Sequence, residues 1–216
     1  MAIIFKQTLD EHTEWALWEL SEDEPTLLHL CQPDTEMLVT LAGIAHETKR
    51  REFLASRALL RQLLAEQNQY FTGIYKDENG KPHLRGTPYQ FSLSHSAEFV
   101  AVAISKKQAI GIDIEPIKPK ILRIAPRFLS VLECVQASTS QEKATLYWCV
   151  KEAMYKLFNQ NKCSLREHLR VSAFDGEYQT QVNGFIQMPD YKAHAQVFSH
   201  VHLQYCIAIA QHISGE

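Results

Sequence analysis

The sequence lacks the features of a membrane or secreted protein. None of its apolar runs approaches the roughly 18–20 residues that a membrane-spanning helix needs. The start, MAIIFKQTLD, has no basic region followed by a long apolar stretch, as a signal peptide would. The formal net charge is only −3, whereas general nucleic-acid binding usually goes with a basic excess. We therefore predict a cytoplasmic protein that binds neither membranes nor nucleic acid.

Several familiar site motifs are also missing. The five cysteines are odd in number and scattered, with no CxxC pair, which argues against a disulfide framework or a zinc site. The histidines form no HExxH motif, and we expect the closest pair, His200 and His202, to be partly exposed strand residues. The absence of a GxxxxGK[ST] loop and of a GxSxG motif counts against a P-loop enzyme and a serine hydrolase of that type.

The periodicity indicates two passes of similar order. In the first, the strand-like WALWEL precedes a helix over His46–Gln67 and a hairpin that ends in VAVAIS. In the second, GIDIE precedes a helix over Lys143–Gln160 and strands that end in YCIAIA. We predict an α+β protein of two similar halves, residues 1–107 and 108–216, with a ligand site in the cleft between them. The alternative is two unrelated α+β units whose likeness is compositional.

The acidic strand GIDIE carries two carboxylates on one face. Residues i and i+2 of a strand point the same way, so Asp113 and Glu115 lie together with α-carbons about 6.5 Å apart. Water at an exposed edge could compensate their repulsion, and this is the simpler explanation of the motif alone. A divalent cation could do so too, and an all-oxygen ligand set suits Mg²⁺, which often takes its other ligands from a phosphate.

The helix that contains WCVKEAMYKLF has two unlike sides. At about 100° per residue, Val150 and Met154 lie on one side, and Trp148, Glu152 and Lys156 lie on the other. The polar side can be a surface ion pair, or an acid–base group beside a cation for an anionic substrate. The tryptophan favours a cleft wall, because a large aromatic ring on a polar face is expected to cover something.

Two further segments are candidates for phosphate binding. Arg50, Arg57 and Arg61 fall within about 40° on one helix, beside its apolar face, where guanidinium groups often recognise phosphate. The alternative is a solvated helix face. In FSLSHS, Ser94 and His95 end a strand and could hold phosphate oxygens. A serine nucleophile or a plain polar turn are the other interpretations of this segment.

The motifs NGKPHL, FSLSHS, GIDIE, FLSVLE and WCVKEAMYK, in this order, resemble the 4'-phosphopantetheinyl transferases of the surfactin-synthetase type. The likeness runs from about Lys49 to Leu165, and the pair GIDIE and WxxKEAxxK is specific at this spacing. The resemblance implies a pseudo-dimer of two similar α/β subdomains that works as a monomer. It also implies transfer of the phosphopantetheine arm of coenzyme A to a serine of an apo acyl or peptidyl carrier protein, with release of adenosine 3',5'-bisphosphate.

The resemblance further implies the roles of residues in the second half. Asp113, Glu115 and, in FLSVLE, Glu133 would hold Mg²⁺ against the coenzyme A pyrophosphate. Glu152 would take the proton from the incoming serine, directly or through water. Lys156 would keep Glu152 ionised and would contact the pyrophosphate.

In the first half, the resemblance implies contacts with coenzyme A itself. Ser94 and His95 would touch its phosphates, Arg57 would bind its 3'-phosphate, and Lys81 would lie beside its adenine. Arg50 would be a further coenzyme A contact. One segment departs from the family pattern, because NQNKCSLREHL follows the WxxKEAxxK helix where the family commonly has a glycine-rich turn.

Two other classes of function stay open at this point. One is a Mg²⁺-dependent nucleotide hydrolase or kinase that uses the same acids. The other is a non-catalytic module that binds coenzyme A or a carrier protein, although such a relative would be expected to lose Glu152 or Asp113, and both are present.

Overall fold

The chain forms two compact units. The computed structural model describes residues 3–78, 80–174 and 179–213, so that Asn79 of the predicted turn NGKPHL lies outside the described residues. The N-terminal unit is Met1–Lys107 and the C-terminal unit is Gln108–Glu216. Each combines helices with an antiparallel sheet, which confirms the predicted α+β class. None of the described helices has the length and apolar composition to cross a membrane.

The N-terminal unit is a helix-covered sheet. Its sheet has the order β1-β2-β6-β5, every neighbouring pair is antiparallel, and β3 pairs with β4 in a separate hairpin. The longest helix, α3, packs on β5 and β6 and buries leucines between itself and the sheet. The elements in chain order are β1 (Ile3–Asp10), β2 (Thr13–Glu19), α1 (Glu24–Cys31), α2 (Thr35–Ala42), α3 (Glu47–Glu66), β3 (Ile74–Lys76), β4 (Pro82–Leu84), β5 (Gln90–His95) and β6 (Phe99–Ser105).

The C-terminal unit has a sheet of the order β7-β11-β10-β9-β8, again with antiparallel neighbours. Helix α6 packs on β7, β11 and β10. The elements in chain order are β7 (Ile110–Pro116), α4 (Lys120–Ile124), a 3₁₀ turn (Ala125–Arg127), α5 (Val131–Ala137), α6 (Gln141–Phe158), β8 (Leu169–Val171), β9 (Gln179–Met188), β10 (Tyr191–His202) and β11 (Tyr205–His212).

The repeat that the periodicity predicts is visible in the strand pairing of each unit. Strand β2 pairs with β6, the last strand of the hairpin that follows α3, and β7 pairs with β11, the last strand after α6. In both units the long helix packs against that last strand. In each unit, the strand before the long helix therefore pairs with the last strand after it. A likeness of composition alone would not produce the same pairing in both units. The periodicity did not indicate β1, α1, α2, α4, α5, β8 or β9, and of the β3–β4 hairpin the sequence indicated only the turn.

The residues that flank α6 explain where this helix begins and ends. Ser140 caps α6 by accepting a hydrogen bond from the backbone N–H of Lys143 at 3.1 Å. The helix ends at Asn159, which has a φ of 49°. Asparagine tolerates this left-handed conformation better than most residues, and Lys162 adopts it too, with a φ of 62°. The segment NQNKCSL thus turns without glycine where the family commonly has it.

A glycine allows α6 to lie very close to β7. A Cβ atom added at Gly111 would lie 2.0 Å from the carbonyl oxygen of Ala153 and 2.8 Å from the backbone nitrogen of Leu157. Both atoms belong to the helix backbone and cannot move independently of it. At Gly184 of β9, by contrast, an added Cβ would meet the flexible side chain of Met154, with 2.5 Å to its Sδ.

We expect Gly111→Ala to lower the free energy of unfolding by about 3 kcal/mol or more, because the helix backbone must move away from the strand. The matched variant Gly184→Ala should cost about 1–2 kcal/mol, because the methionine can change rotamer. Urea unfolding followed by circular dichroism measures both. Equal losses in the two variants would contradict the backbone contact at Gly111.

Candidate functional site

Four charged side chains come together where α6 crosses β7. Asp113 and Glu115 share one face of the strand, which confirms the predicted alternation, because both contact the same side of α6. The Lys156 ammonium donates to Asp113 Oδ1 at 2.7 Å and to the carbonyl oxygen of Ile112 at 2.8 Å. The Trp148 Nε1–H donates to Glu115 Oε1 at 2.9 Å. The tryptophan on the polar side of the helix therefore covers a carboxylate.

Glu152 lies on α6 one turn from Trp148 and one turn from Lys156. Burial, together with the negative charges of Asp113 and Glu115, raises the pKa of Glu152 to about 7, against the opposing effect of Lys156. Burial also raises the pKa of Glu115, and the hydrogen bond from Trp148 opposes that shift. Lys156 and Lys120 oppose the shift of Glu115 as well, so the raised pKa values indicate that nearby cations compensate the negative charge of this group only in part.

The carboxylates of Asp113, Glu115 and Glu152, which we call the acidic group, have the right chemistry for Mg²⁺. Carboxylate oxygens are the protein ligands that this ion prefers, and crowded carboxylates with raised pKa values are stabilised by a divalent cation. As the side chains of the described residues stand, His, Cys, Asp and Glu form no cluster of three or more with metal-binding geometry. The ammonium of Lys156 lies beside Asp113. The carboxylates therefore fit Mg²⁺ in charge and ligand type, but their side chains, as the structure describes them, do not stand in a metal-binding arrangement.

Glu133 does not belong to this acidic group. Its side chain is buried at the start of α5, where Oε2 accepts hydrogen bonds from the backbone N–H of Ser130 and from the ammonium of Lys151, each at 2.7 Å. Its Oε1 accepts from the backbone N–H of Val171 at 3.1 Å. The carboxylate accepts three hydrogen bonds from donors of the chain itself, so its expected role as third metal ligand has no support in this geometry. Ser130 and Glu133 form a capping box at the start of α5.

In the N-terminal unit, Arg57 is a partly buried cation that forms no ion pair with any carboxylate of the described residues. Its guanidinium stacks on the ring of Phe53, 3.7 Å from the ring centroid, and donates to the hydroxyl of Ser56 at 2.9 Å. Burial lowers the pKa of Arg57 to about 10. Arg57 lines a cavity of about 370 Å³. The wall of this cavity also includes two carboxylates, a tyrosine ring and a second cation, those of Asp34, Glu36, Tyr75 and Lys76. A desolvated guanidinium that forms no ion pair with a described carboxylate is a good site for an anionic ligand.

The other two arginines of the predicted basic face have structural partners. Arg50 forms an ion pair with Glu24 of α1 and donates to the carbonyl oxygen of Leu41, at the end of α2, at 2.7 Å. Arg61 donates to the carbonyl oxygen of Cys31 at 3.0 Å. Both side chains therefore hold the short helices against α3. The expected contact of Arg50 with coenzyme A has no support in this geometry.

A buried carboxylate on α3 positions the histidine of the SHS segment. His95, about a third exposed, lies at the end of β5 with its Nδ1 3.0 Å from Glu52 Oε2. The same carboxylate accepts from the ammonium of Lys49 at 2.7 Å. Ser94 is buried beside the histidine on the strand. Glu52 was not singled out from the sequence, although a glutamate amid the apolar positions of α3 was the available signal.

Lys81 lies at the hairpin between β3 and β4. Its backbone N–H donates to Asp77 Oδ1 at 2.9 Å, which stabilises the turn. Burial lowers the pKa of Lys81, and the charge of Asp77 opposes that shift. The ammonium is therefore partly desolvated, as would suit a contact with a flat or anionic ligand group.

The raised pKa of Glu152 predicts a pH-dependent cost to stability. In the unfolded chain the ordinary pKa is 4.5, and in the folded chain it is about 7, so the folded state binds a proton more tightly. Stability is then lost as the pH rises from about 4.5 through 7. We expect Glu152→Gln, which resembles the protonated form, to exceed the wild type in free energy of unfolding by about 1–3 kcal/mol at pH 8.

This difference should nearly vanish at pH 4.5–5, where Glu152 is protonated in the folded state. Urea unfolding without divalent cations at the two pH values measures it. A difference that is the same at both would contradict the proposed crowding of carboxylates around Glu152.

Comparisons with known proteins cover both units. Residues 109–210 match the family model of the 4'-phosphopantetheinyl transferase superfamily. Residues 39–105 match the family model of the 4'-phosphopantetheinyl transferase N-terminal domain. The first range contains the acidic group and α6, and the second contains α3 and the SHS segment.

Individual relatives carry the same name. The chain is 35% identical over 127 residues to 4'-phosphopantetheinyl transferase psf-1 of Bacillus pumilus, which is 56% of this chain and 52% of the relative. It is 32% identical over 120 residues to 4'-phosphopantetheinyl transferase Sfp of Bacillus subtilis, with 51% and 53% covered. It is 31% identical over 124 residues to 4'-phosphopantetheinyl transferase AcpT of Salmonella typhimurium, with 54% and 62% covered.

The chain thus spans about half the length of the curated relatives it matches. The two family models nevertheless account for most of its residues, with one model in each unit. Together with the motifs and the α+β fold of both units, they establish that the chain belongs to the 4'-phosphopantetheinyl transferase superfamily, in its surfactin-synthetase type.

Proposed function

We propose that the protein transfers the 4'-phosphopantetheine arm of coenzyme A to a serine of an apo acyl or peptidyl carrier protein, in a Mg²⁺-dependent reaction. The observation that carries this proposal is the group formed by Asp113, Glu115, Glu152 and Lys156 on β7 and α6. It combines two acids that suit a metal, a carboxylate with a pKa of about 7, and an ammonium. The family of the chain supports the same reaction.

The proposed reaction is a phosphoryl-type displacement. The serine oxygen of the carrier forms a bond to the phosphorus that bears the pantetheine arm, and the bond from that phosphorus to the bridging oxygen breaks. Adenosine 3',5'-bisphosphate leaves with the bridging oxygen. The hydroxyl proton of the serine goes to Glu152, directly or through water. A pKa near the working pH suits a general base, because the group is then both ionised and able to accept a proton.

Asp113 and Glu115 would hold the Mg²⁺ ion. When bound, Mg²⁺ neutralises charge on the pyrophosphate oxygens and on the departing bisphosphate. Lys156, which is held in place by Asp113 and the carbonyl oxygen of Ile112, would present its remaining donor to the pyrophosphate. Glu133 is left out of this set because its carboxylate already accepts three hydrogen bonds within the fold, one of them from the ammonium of Lys151.

The nucleotide end of coenzyme A would be bound by the N-terminal unit. Arg57 would bind the 3'-phosphate, because its guanidinium is desolvated and has no acidic partner among the described residues. His95, positioned by Glu52, and Ser94 would contact phosphate oxygens, and Lys81 would lie beside the adenine. We expect a monomer that accepts an apo carrier protein of fatty-acid, polyketide or nonribosomal-peptide synthesis.

The direct test incubates the protein with Mg²⁺, coenzyme A and several apo carrier proteins. Intact mass spectrometry should show that a carrier gains one phosphopantetheine group, and chelation of Mg²⁺ should abolish the gain. Glu152→Gln should lower kcat by about 10²-fold or more, because general bases typically contribute that much. Hydrolysis of ATP without any mass gain would instead indicate a nucleotide hydrolase. Tight binding of coenzyme A without turnover on any carrier would indicate a binding module.

The role of Arg57 has its own test. We expect Arg57→Ala to raise the KM for coenzyme A by about 10- to 100-fold, as the loss of a charge-assisted hydrogen bond would. The KM for 3'-dephospho-coenzyme A should rise by less than about 3-fold. The control Arg61→Ala removes a guanidinium one turn further along α3 and should leave the ratio of the two KM values unchanged. A parallel rise for both substrates in Arg57→Ala would exclude the 3'-phosphate contact.

A further inference from the structure

A fully buried lysine lies next to Glu152 in α6. Lys151 has no exposed surface, and its ammonium is surrounded by four oxygens. The bonds run to Glu133 Oε2 at 2.7 Å and to three carbonyl oxygens, those of Phe128 at 3.0 Å, Leu165 at 2.9 Å and Leu169 at 3.1 Å. The ammonium has three hydrogens to share among these acceptors, so it is fully satisfied inside the C-terminal unit.

The partner carboxylate extends this tie to two further segments. Glu133 accepts from the backbone N–H of Ser130, which begins α5, and from the backbone N–H of Val171, which ends β8. One buried ion pair, Lys151–Glu133, thus joins the middle of α6 to the start of α5, to the carbonyl of Phe128 and to the chain from Leu165 to Val171. We call it the Lys151–Glu133 tie.

Stability alone does not explain such a pair. Removing two charges from water carries a large desolvation penalty, and well-packed apolar residues in place of a buried ion pair are often as stabilising or more so. The pair adds a directional constraint, because the Lys151 ammonium can reach its four acceptor oxygens in only one rotation of α6 about its axis. Neighbouring residues of a helix differ by about 100° around its axis. Holding Lys151 on one side therefore determines where Glu152 points on the other.

We propose that the Lys151–Glu133 tie is a positioning device that sets the rotation and axial position of α6, and so holds Glu152 and Lys156 against Asp113 and Glu115. Its effect on catalysis rests on the proposed function, whereas its effect on the placement of Glu152 does not. Lys151 and Glu133 are positioning residues here, because their bonds go to the chain itself. In this role Glu133 acts through α6 instead of binding the metal.

The test compares Lys151→Met with the double variant Lys151→Met/Glu133→Gln. The single variant leaves a buried carboxylate uncompensated and should lower Tm strongly. In the double variant no uncompensated buried charge remains, so at least half of the lost Tm should return. If the tie positions α6, kcat should stay at least 10-fold below the wild type although stability has returned. Lys143→Met, which removes a lysine from the first turn of α6, is the matched control and should change neither quantity.

Two kinetic quantities separate this role from its rivals. In the double variant kcat should stay low, whereas the half-saturating Mg²⁺ concentration should stay within 3-fold of the wild type, because Asp113 and Glu115 lie on β7 and not on α6. A return of kcat together with Tm would show that the pair serves stability only and would overturn the proposal. A rise of 10-fold or more in the half-saturating Mg²⁺ concentration would overturn it in favour of Glu133 as a metal ligand.

A final measurement needs no enzymatic activity. Glu152→Gln is introduced into the wild type and into the double variant, and the resulting change in Tm is measured at pH 8 and pH 5 without divalent cations. In the wild type, Glu152→Gln should raise Tm more at pH 8 than at pH 5. This difference between the two pH values should be at least halved in the double variant, because Glu152 is no longer held against the acids of β7. An undiminished difference would overturn the positioning role even if transfer occurs. A diminished difference in a protein that shows no transfer would support the positioning role and count against the proposed function.

Discussion

The close packing of α6 on β7 is the constraint on which the candidate site depends. Without a side chain at Gly111, the carbonyl oxygen of Ala153 can approach the strand to a distance that any Cβ would prevent. Asp113 and Glu115 follow on the same face of the strand, so the contact that seats the helix also brings both acids to its polar side. Trp148 and Lys156 then reach a carboxylate each. The absence of a side chain at Gly111 and the two-residue period of β7 therefore bring the acidic group together.

The charged residues of this protein include two kinds: those whose charge a partner in the fold compensates, and those whose charge is not fully compensated. Lys151 and Glu133 satisfy each other and the surrounding backbone, and Arg50 and Arg61 bind Glu24 and the carbonyl oxygen of Cys31. Such groups stabilise and orient the fold. The acidic group and Arg57 are different, because the pKa of Glu152 is raised and that of Arg57 is lowered. Charges that the fold desolvates without full compensation are available to a ligand of opposite charge, and those two places are the ones proposed for Mg²⁺ and phosphate.

The contrast between Glu133 and Glu152 shows the limit of motif-based assignment. Both are glutamates in family motifs, and both lie on helices of the C-terminal unit. Glu133 is at once the N3 residue of the capping box that Ser130 begins and a partner of Lys151, which lies 18 residues further along the chain. The cap is local to the start of α5, but the ion pair depends on how α5 packs against α6. The same holds for Glu52, whose bond to His95 joins α3 to β5.

The sequence by itself determined the α+β class, the repeated order of strand, helix and hairpin, and the faces that carry Asp113 with Glu115 and Trp148 with Lys156. These follow from periods of two and about 3.6 residues, which are local properties of the chain. Only the tertiary structure decided which charges are neutralised: Glu133 by Lys151, Arg50 by Glu24, and Arg57 by no described carboxylate. Ion pairing and desolvation depend on distances between segments remote in sequence, and residue spacing within one element carries no information about them.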